Sequence, residues 1–98
     1  MGEAQAQVAL DIGGRSFLRF EGVFPDNYVG NNDNPLPIDM VEHIFRPLAE
    51  NLQATVHIAV TGQNTHHMVE TCFKGFGRAL RQAIHRQGQE LPSTKGVL

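Results

Sequence analysis

The chain lacks several things that would point to particular classes of protein. It has one cysteine, Cys72, and no tryptophan among its 98 residues. A single cysteine excludes an internal disulfide framework and is typical of a reducing compartment. Eight Lys and Arg residues against ten Asp and Glu give a formal net charge of −2, which does not favour binding to nucleic acid. No apolar run approaches the roughly 20 residues that cross a membrane.

The first residues have neither the basic start nor the apolar block of a signal peptide, so we expect a cytoplasmic protein. A length of 98 residues with 41% hydrophobic residues is enough for one modest core. We therefore predict a single domain over residues 1–98.

The first part of the chain alternates apolar and polar residues in two segments. A period of two residues predicts two half-buried strands. Gly13 and Gly14 stand between the segments, and because both accept positive φ they predict a tight hairpin that pairs the two strands. The apolar positions are Ala6, Val8, Leu10 and Ile12 in the first segment, and Leu18, Phe20 and Phe24 in the second.

A loop and a helix are predicted to follow. Residues 25–37 are rich in proline, asparagine and glycine and predict an irregular loop. A helix then starts at Pro37 or Asp39, and Pro47 within it removes the hydrogen bond to the carbonyl of His43, which predicts a kink or a split. Its apolar residues at helical spacing are Val41, Ile44, Phe45, Leu48 and Leu52.

The remaining residues predict one more strand and one more helix. Alternation over residues 54–61 places Val56, Ile58 and Val60 on one side of a strand and His57 on the other. Asn64 or Thr65 then caps a helix that runs to about His85. Its predicted buried residues are Val69, Cys72, Phe73, Phe76 and Leu80. The order ββαβα predicts an α+β fold, a small sheet with both helices on one face.

The richest cluster of metal-binding residue types lies at the start of this second helix, in residues 64–70, which we call the histidine turn. His66 and Glu70 are four residues apart and share a helix face, so that they can bind one metal together. His67 points about 100° away and is expected to serve a different centre. Lys74 continues the Glu70 face and could meet an anion near the metal. Two protein ligands are too few for a tight site, so further ligands must come from elsewhere.

His43, flanked by Glu42 and Arg46 on the first helix, is the best remaining ligand candidate. Simpler alternatives exist for these residues. A solvated turn without function explains the histidine turn equally well, and a surface role is favoured for His43. His57 and His85 are predicted to be surface residues, and Cys72 a core residue.

The residues Ser93, Thr94, Lys95 and Gly96 carry a second signal. They offer hydroxyls, a cation and backbone N–H groups, which are the components of a phosphate site. Polar tails of this kind are common and are usually only solvated.

Several of these segments together resemble a known family. The run HHMVETCFKGFGRALRQA, followed by LPSTKGVL, resembles the C-terminal half of imidazoleglycerol-phosphate dehydratase, an enzyme of histidine biosynthesis. VALDIGGRSFL is similar to the hairpin that opens that half, and MVEHIF to its first helix. The resemblance covers nearly the whole chain, and it implies that residues 1–98 are equivalent to that half.

The resemblance implies which residues take part. The family binds two manganese ions, each held by three histidines and one glutamate. By resemblance, His66 and Glu70 are ligands of one ion, and His43 and His67 are ligands of the other. Arg15, Lys74 and the run Ser93, Thr94 and Lys95 match positions that contact the phosphate substrate. The reaction would remove water from imidazole glycerol phosphate to give imidazole acetol phosphate.

The resemblance also implies an assembly. The family chain has two similar halves, each a four-stranded sheet with two helices of the ribosomal protein S5 domain 2-like type. It forms a large homo-oligomer with active sites at subunit boundaries. This chain departs from the pattern in three ways: loop 25–37 is longer, Pro47 is unusual, and the N-terminal half is absent. That half carries an acidic residue implicated in proton transfer, so no catalytic acid is assigned here.

Three interpretations of the missing half stay open. The chain is an inactive fragment that needs its N-terminal half, or two copies of it combine their ligands into complete metal sites. In the third interpretation it is a structural or binding module without catalysis, since fold does not fix function.

Overall fold

The computed structural model describes residues 3–30 and 33–88. These residues form an α+β fold with a small sheet and two long helices, as the sequence predicts. No helix in these ranges is long and apolar enough to cross a membrane. The elements in chain order are β1 (Gln5–Ile12), β2 (Phe17–Glu21), β3 (Tyr28–Val29), β4 (Leu36–Pro37), α1 (Asp39–Leu52), β5 (Ala54–Thr61) and α2 (Thr65–Arg86).

The main sheet has the strand order β1-β5-β2, so the last strand in sequence is the central one. β5 pairs antiparallel with β1, from Gln5 opposite Thr61 to Ile12 opposite Ala54. It pairs parallel with β2 on its other edge. The described residues thus give a three-stranded main sheet, where the resemblance implied four strands.

The predicted hairpin between β1 and β2 is wrong. Gly13 and Gly14 do turn the chain with positive φ of 118° and 75°, but β5 lies between the two strands and pairs with both. The backbone N–H of Gly13 instead donates to the carbonyl of Gln53 at 2.8 Å. A glycine pair fixes where the chain turns. It does not fix which strand occupies the neighbouring position, because that is decided by distant residues.

The core lies between the sheet and the helices. Alternate residues of the strands face it, including Leu10, Leu18 and the β5 residues Val56, Ile58 and Val60. Both helices pack on this one face, as predicted, α2 mainly over β1 and α1 mainly over β2. The helices contribute Val41, Phe45, Ala49, Met68, Cys72 and Phe76, with Ala79 and Ala83 further along α2.

Phe73, which the sequence predicts to be buried, is not. It remains 37% exposed, and Ile44 and Leu48, two of the residues at helical spacing in α1, are 36–37% exposed. The buried stripe of each helix is narrower than the apolar spacing indicates, and in α1 it consists of Val41, Phe45 and Ala49. Phe73 lies at the edge of the core with its ring centroid 4.6 Å from that of Phe45.

Two further predictions need correction. α1 continues through Pro47 as one run of 14 residues, so the predicted split is wrong; Pro47 is exposed, where water can reach the carbonyl that it leaves unpaired. The segment 25–37 is not wholly irregular, because Tyr28 pairs with Pro37 and Val29 with Leu36. Strands of two residues are too short to show a period in sequence.

Candidate functional site

The histidine turn forms the first turn of α2, and a side-chain cap fixes its start. Asn64 has extended backbone angles, and its Oδ1 accepts a hydrogen bond from the backbone N–H of His67 at 3.0 Å. Its carbonyl accepts from the N–H of Met68 at 2.9 Å. Met68 is fully buried, so the turn is held by its cap on one side and by the core on the other.

His66 and Glu70 lie together on one exposed face of this turn. His66 Nε2 and Glu70 Oε1 are 3.7 Å apart. Two atoms that each bind a metal at roughly 2.1 Å are separated by about 3–4 Å, so the distance between this imidazole and this carboxylate is compatible with one shared ion. The two side chains share a helix face, as the spacing predicts, and their binding of a metal stays a prediction.

His67 points in a different direction and meets a residue that the sequence did not suggest. Its Nδ1 lies 2.7 Å from Glu3 Oε1. The other carboxylate oxygen of Glu3 accepts the backbone N–H of Gln63 at 3.1 Å. Chiefly the His67 hydrogen bond, with the Gln63 N–H next, lowers the pKa of Glu3 below its ordinary value of 4.5. The two histidines therefore have separate carboxylate partners.

A partly buried pair of hydrogen bonds ties the histidine turn to the loop after β2. Thr65 is 3% exposed, and its hydroxyl donates to Asp26 Oδ2 at 2.9 Å. The same hydroxyl accepts the backbone N–H of Asp26 at 3.1 Å. This reciprocal pair holds the backbone immediately before His66.

His43 lies on the exposed side of α1, on a groove of about 340 Å³. Its side chain makes no hydrogen bond or ion pair with another described residue, whereas the neighbouring Glu42 and Arg46 pair at 2.7 Å. Phe20 and Phe24 line the same groove. His43 is thus accessible but held only by its helix.

The predicted substrate residues are dispersed in this structure. Lys74 lines a groove on the outer face of α2 together with Arg78 and Arg81. Arg15 is exposed after the Gly13-Gly14 turn, and its carbonyl accepts a hydrogen bond from Thr55 Oγ1 at 3.4 Å. Ser93, Thr94 and Lys95 lie outside the described residues.

The predicted ligands do not form one complete centre in a single chain. Within residues 3–30 and 33–88, no group of three or more His, Cys, Asp or Glu side chains is arranged to hold a metal. The pair His66 and Glu70 is brought together, and His67 is directed away from it. The assignment of these residues as manganese ligands stays a prediction.

The residues predicted to have no role lie where the sequence placed them. His57 is exposed on the open face of the sheet, with its ring centroid 6.1 Å from that of Phe17. His85 is exposed in the last turn of α2. Cys72 is buried, and burial raises the pKa of its thiol to about 11, which makes it a poor nucleophile.

Sequence reasoning missed two residues that support the site, Glu3 and Asp26. It also missed the hydrogen bonds that Thr65 makes with Asp26. One signal was available for Glu3. The antiparallel register opposes Gln5 to Thr61, and its extension by two residues opposes Glu3 to Gln63, beside the histidine turn. This signal can be used only if β1 is paired with β5. The predicted hairpin pairs β1 with β2 and therefore does not bring Glu3 opposite Gln63.

Comparison with known proteins identifies the family. The family model of imidazoleglycerol-phosphate dehydratase matches residues 1–80. The histidine biosynthesis bifunctional protein HisB of Legionella pneumophila is 51% identical over 98 residues, which is 100% of this chain and 27% of that protein. The protein of the same name from Xylella fastidiosa is 47% identical, over 100% of this chain and 25% of its own length.

A solved structure agrees. The crystal structure of imidazoleglycerol-phosphate dehydratase from Staphylococcus aureus matches with a TM-score of 0.74 and 40% identity, over 82% of this chain and 45% of that one. The chain therefore belongs to the imidazoleglycerol-phosphate dehydratase family. It spans 25–27% of the length of these curated relatives, so that it matches one part of each of them.

Proposed function

We propose that this chain supplies part of the active site of a dehydratase of histidine biosynthesis, which removes water from imidazole glycerol phosphate to give imidazole acetol phosphate. The observation that carries the proposal is the histidine turn. This chain belongs to the family, and its histidine turn places His66 and Glu70 on one face while His67 points in another direction. This is the arrangement expected for a shared pair of metal centres.

The donor set suits a divalent transition metal. Imidazole and carboxylate ligands are compatible with manganese, iron, zinc or nickel, and the resemblance favours Mn²⁺. His66 and Glu70 would hold one ion, while His43 and His67 would hold the other. When bound, the metal would supply Lewis acidity that lowers the cost of deprotonating the substrate imidazole.

The chain's own cations would orient the substrate. Lys74 lies one helical turn beyond Glu70, so its ammonium group can reach an anionic substrate held beside that carboxylate. Arg15 and the run Ser93, Thr94 and Lys95 would bind the phosphate group through charge-assisted hydrogen bonds. The acid that transfers the proton would come from another half of the enzyme.

Completion of the site requires a second component. The chain covers 45% of the Staphylococcus aureus dehydratase chain, and its described residues contain no group of three metal-ligand side chains. We infer that each metal is shared with an N-terminal half or with a further copy of this chain, in a cytoplasmic homo-oligomer. The alternative is a fragment or metal-binding assembly module that is inactive alone.

The test is complementation. The 98-residue chain mixed with a separately produced N-terminal half and Mn²⁺ should dehydrate imidazole glycerol phosphate, while either component alone should show little or no turnover. Native mass spectrometry should show a complex of the two. If the mixture forms a complex and stays inactive with every divalent metal tried, the dehydratase proposal fails and the assembly-module alternative is supported.

The division of ligands has its own test. In the active complex, His67→Ala and Glu70→Ala should each remove a ligand of a different metal, measured as metal equivalents retained after dialysis. His57→Ala is the matched control because His57 lies on the face of the sheet away from the helices. This variant should retain all the metal. If the first two variants lose the same single equivalent, the two-centre assignment is wrong.

A further inference from the structure

The N-terminal segment before β1 reaches the histidine turn, and its closeness depends on a glycine. A Cβ on Gly62 would lie 3.1 Å from the backbone Cα of Ala4 and 2.7 Å from Met68 Cγ. A glycine at this position lets the two backbones approach. The approach places Glu3 directly beside the start of α2, sixty-four residues away in sequence from His67.

Both carboxylate oxygens of Glu3 make hydrogen bonds. One oxygen contacts His67 Nδ1 at 2.7 Å and the other accepts the N–H of Gln63 at 3.1 Å. An ionised carboxylate can only accept hydrogen bonds, so the Nδ1 of His67 must be the protonated nitrogen.

Protonation of Nδ1 leaves the other ring nitrogen, Nε2, with a free lone pair. A histidine that binds a metal commonly donates its second ring N–H to a carboxylate, which fixes the tautomer and the ring orientation. Resting on the function proposed above, we propose that Glu3 is a positioning residue, which holds His67 as the Nδ1–H tautomer so that Nε2 faces a divalent metal.

His66 provides the internal contrast. Its ring faces Glu70 at 3.7 Å, which is too long for a hydrogen bond and suits two ligands of the same ion. The contact between His67 and Glu3 is a direct hydrogen bond. Glu3 therefore acts through His67 and is not itself assigned as a ligand.

The first experiment reads the tautomer without metal. Long-range ¹H–¹⁵N correlation spectra of the full chain, at a pH where imidazole is neutral, should show His67 protonated on Nδ1. Glu3→Ala should shift His67 toward the Nε2–H form, and Glu3→Gln, which keeps an oxygen acceptor, should retain the Nδ1–H form. Glu50→Ala removes another exposed carboxylate and should change nothing. A wild-type His67 protonated on Nε2, or one unaffected by Glu3→Ala, overturns the inference.

The second experiment adds Zn²⁺, a diamagnetic divalent metal that accepts the same ligand types, and follows the ring ¹⁵N chemical shifts of each histidine. Glu3→Ala should need about 10–100-fold more Zn²⁺ to shift the ring nitrogens of His67, with Glu3→Gln between it and the wild type and His66 little changed. Equal loss at His66 and His67, or equal loss in both Glu3 variants, overturns the positioning role. If no histidine of the single chain responds to Zn²⁺, metal binding needs the second component, and the tautomer result decides the role of Glu3.

Discussion

The two helices present their histidines in different ways. The first turn of α2 is held by the Asn64 cap, by the buried contact of Thr65 with Asp26, and by Glu3 on the ring of His67. Ile38, the N-cap residue of α1, makes no side-chain cap hydrogen bond, and the side chain of His43 has no polar partner among the described residues.

This difference shows which part of the site is organised within the chain. Its own cap and contacts from two separate segments fix the histidine turn before any ligand arrives. His43 is oriented only by its helix, so its final position is expected to depend on the second component of the enzyme. Preorganised ligands cost less ordering on binding, and we expect metal to be captured first at the histidine turn.

The largest expected effect is the loss of stability when an aromatic side chain that packs between the two helices is removed. Phe45 is fully buried on α1, and its ring centroid lies 4.6 Å and 5.3 Å from those of Phe73 and Phe76 on α2. Phe45→Ala should lower the free energy of unfolding by about 3–5 kcal/mol, measured by urea denaturation. Phe17→Ala, at a position that is 55% exposed, is the control and should cost far less. Similar losses in both variants would contradict the assigned core.

A smaller loss is expected at the buried contact behind the histidine turn. Thr65→Val keeps the shape of the side chain but leaves the N–H and carboxylate of Asp26 without their partner. We expect a loss of about 1–3 kcal/mol, and Thr65→Ser should recover most of it. Thr61→Val, on an exposed strand position, should stay within about 0.5 kcal/mol of the wild type. Equal losses at Thr61 and Thr65 would show that the contact with Asp26 contributes nothing.

The cap of α2 should contribute less again. Asn64→Ala removes the acceptor for the N–H of His67, and it should cost about 1 kcal/mol, while Asn64→Ser should restore most of the loss. Asn51→Ala changes the same residue type near the end of α1, where no cap bond is lost. If Asn51→Ala is as destabilising as Asn64→Ala, the cap hydrogen bond of α2 contributes no stability of its own.

The smallest effect is a pH dependence at Glu3. Its pKa is lowered in the folded state by the His67 and Gln63 hydrogen bonds, so its contribution to stability is present above the ordinary pKa of 4.5. That contribution is lost as the pH falls through the lower, folded-state value. The difference in unfolding free energy between wild type and Glu3→Gln should shrink as the pH falls below 4.5. A difference that stays constant would argue against the hydrogen bonds.

The sequence alone determined the elements that depend on local pattern. The alternation of apolar residues identified β1, β2 and β5 because a half-buried strand repeats every two residues. Helical spacing identified α1 and α2, and short polar side chains narrowed the cap of α2 to Asn64 or Thr65, of which the structure uses Asn64. The pairing of His66 with Glu70 also followed from sequence, because residues four apart on a helix share a face.

Only the tertiary structure decided the features that join distant segments. β5 lies between β1 and β2, which no local pattern of the two early strands could show, since strand pairing is settled by the whole sheet. That pairing brings Glu3 to His67 and so gives the two adjacent histidines different partners. The sequence by itself placed histidine and glutamate, the candidate metal ligands, at the start of α2. The sheet register decided how His67 is held, because it sets which distant backbone approaches the start of α2.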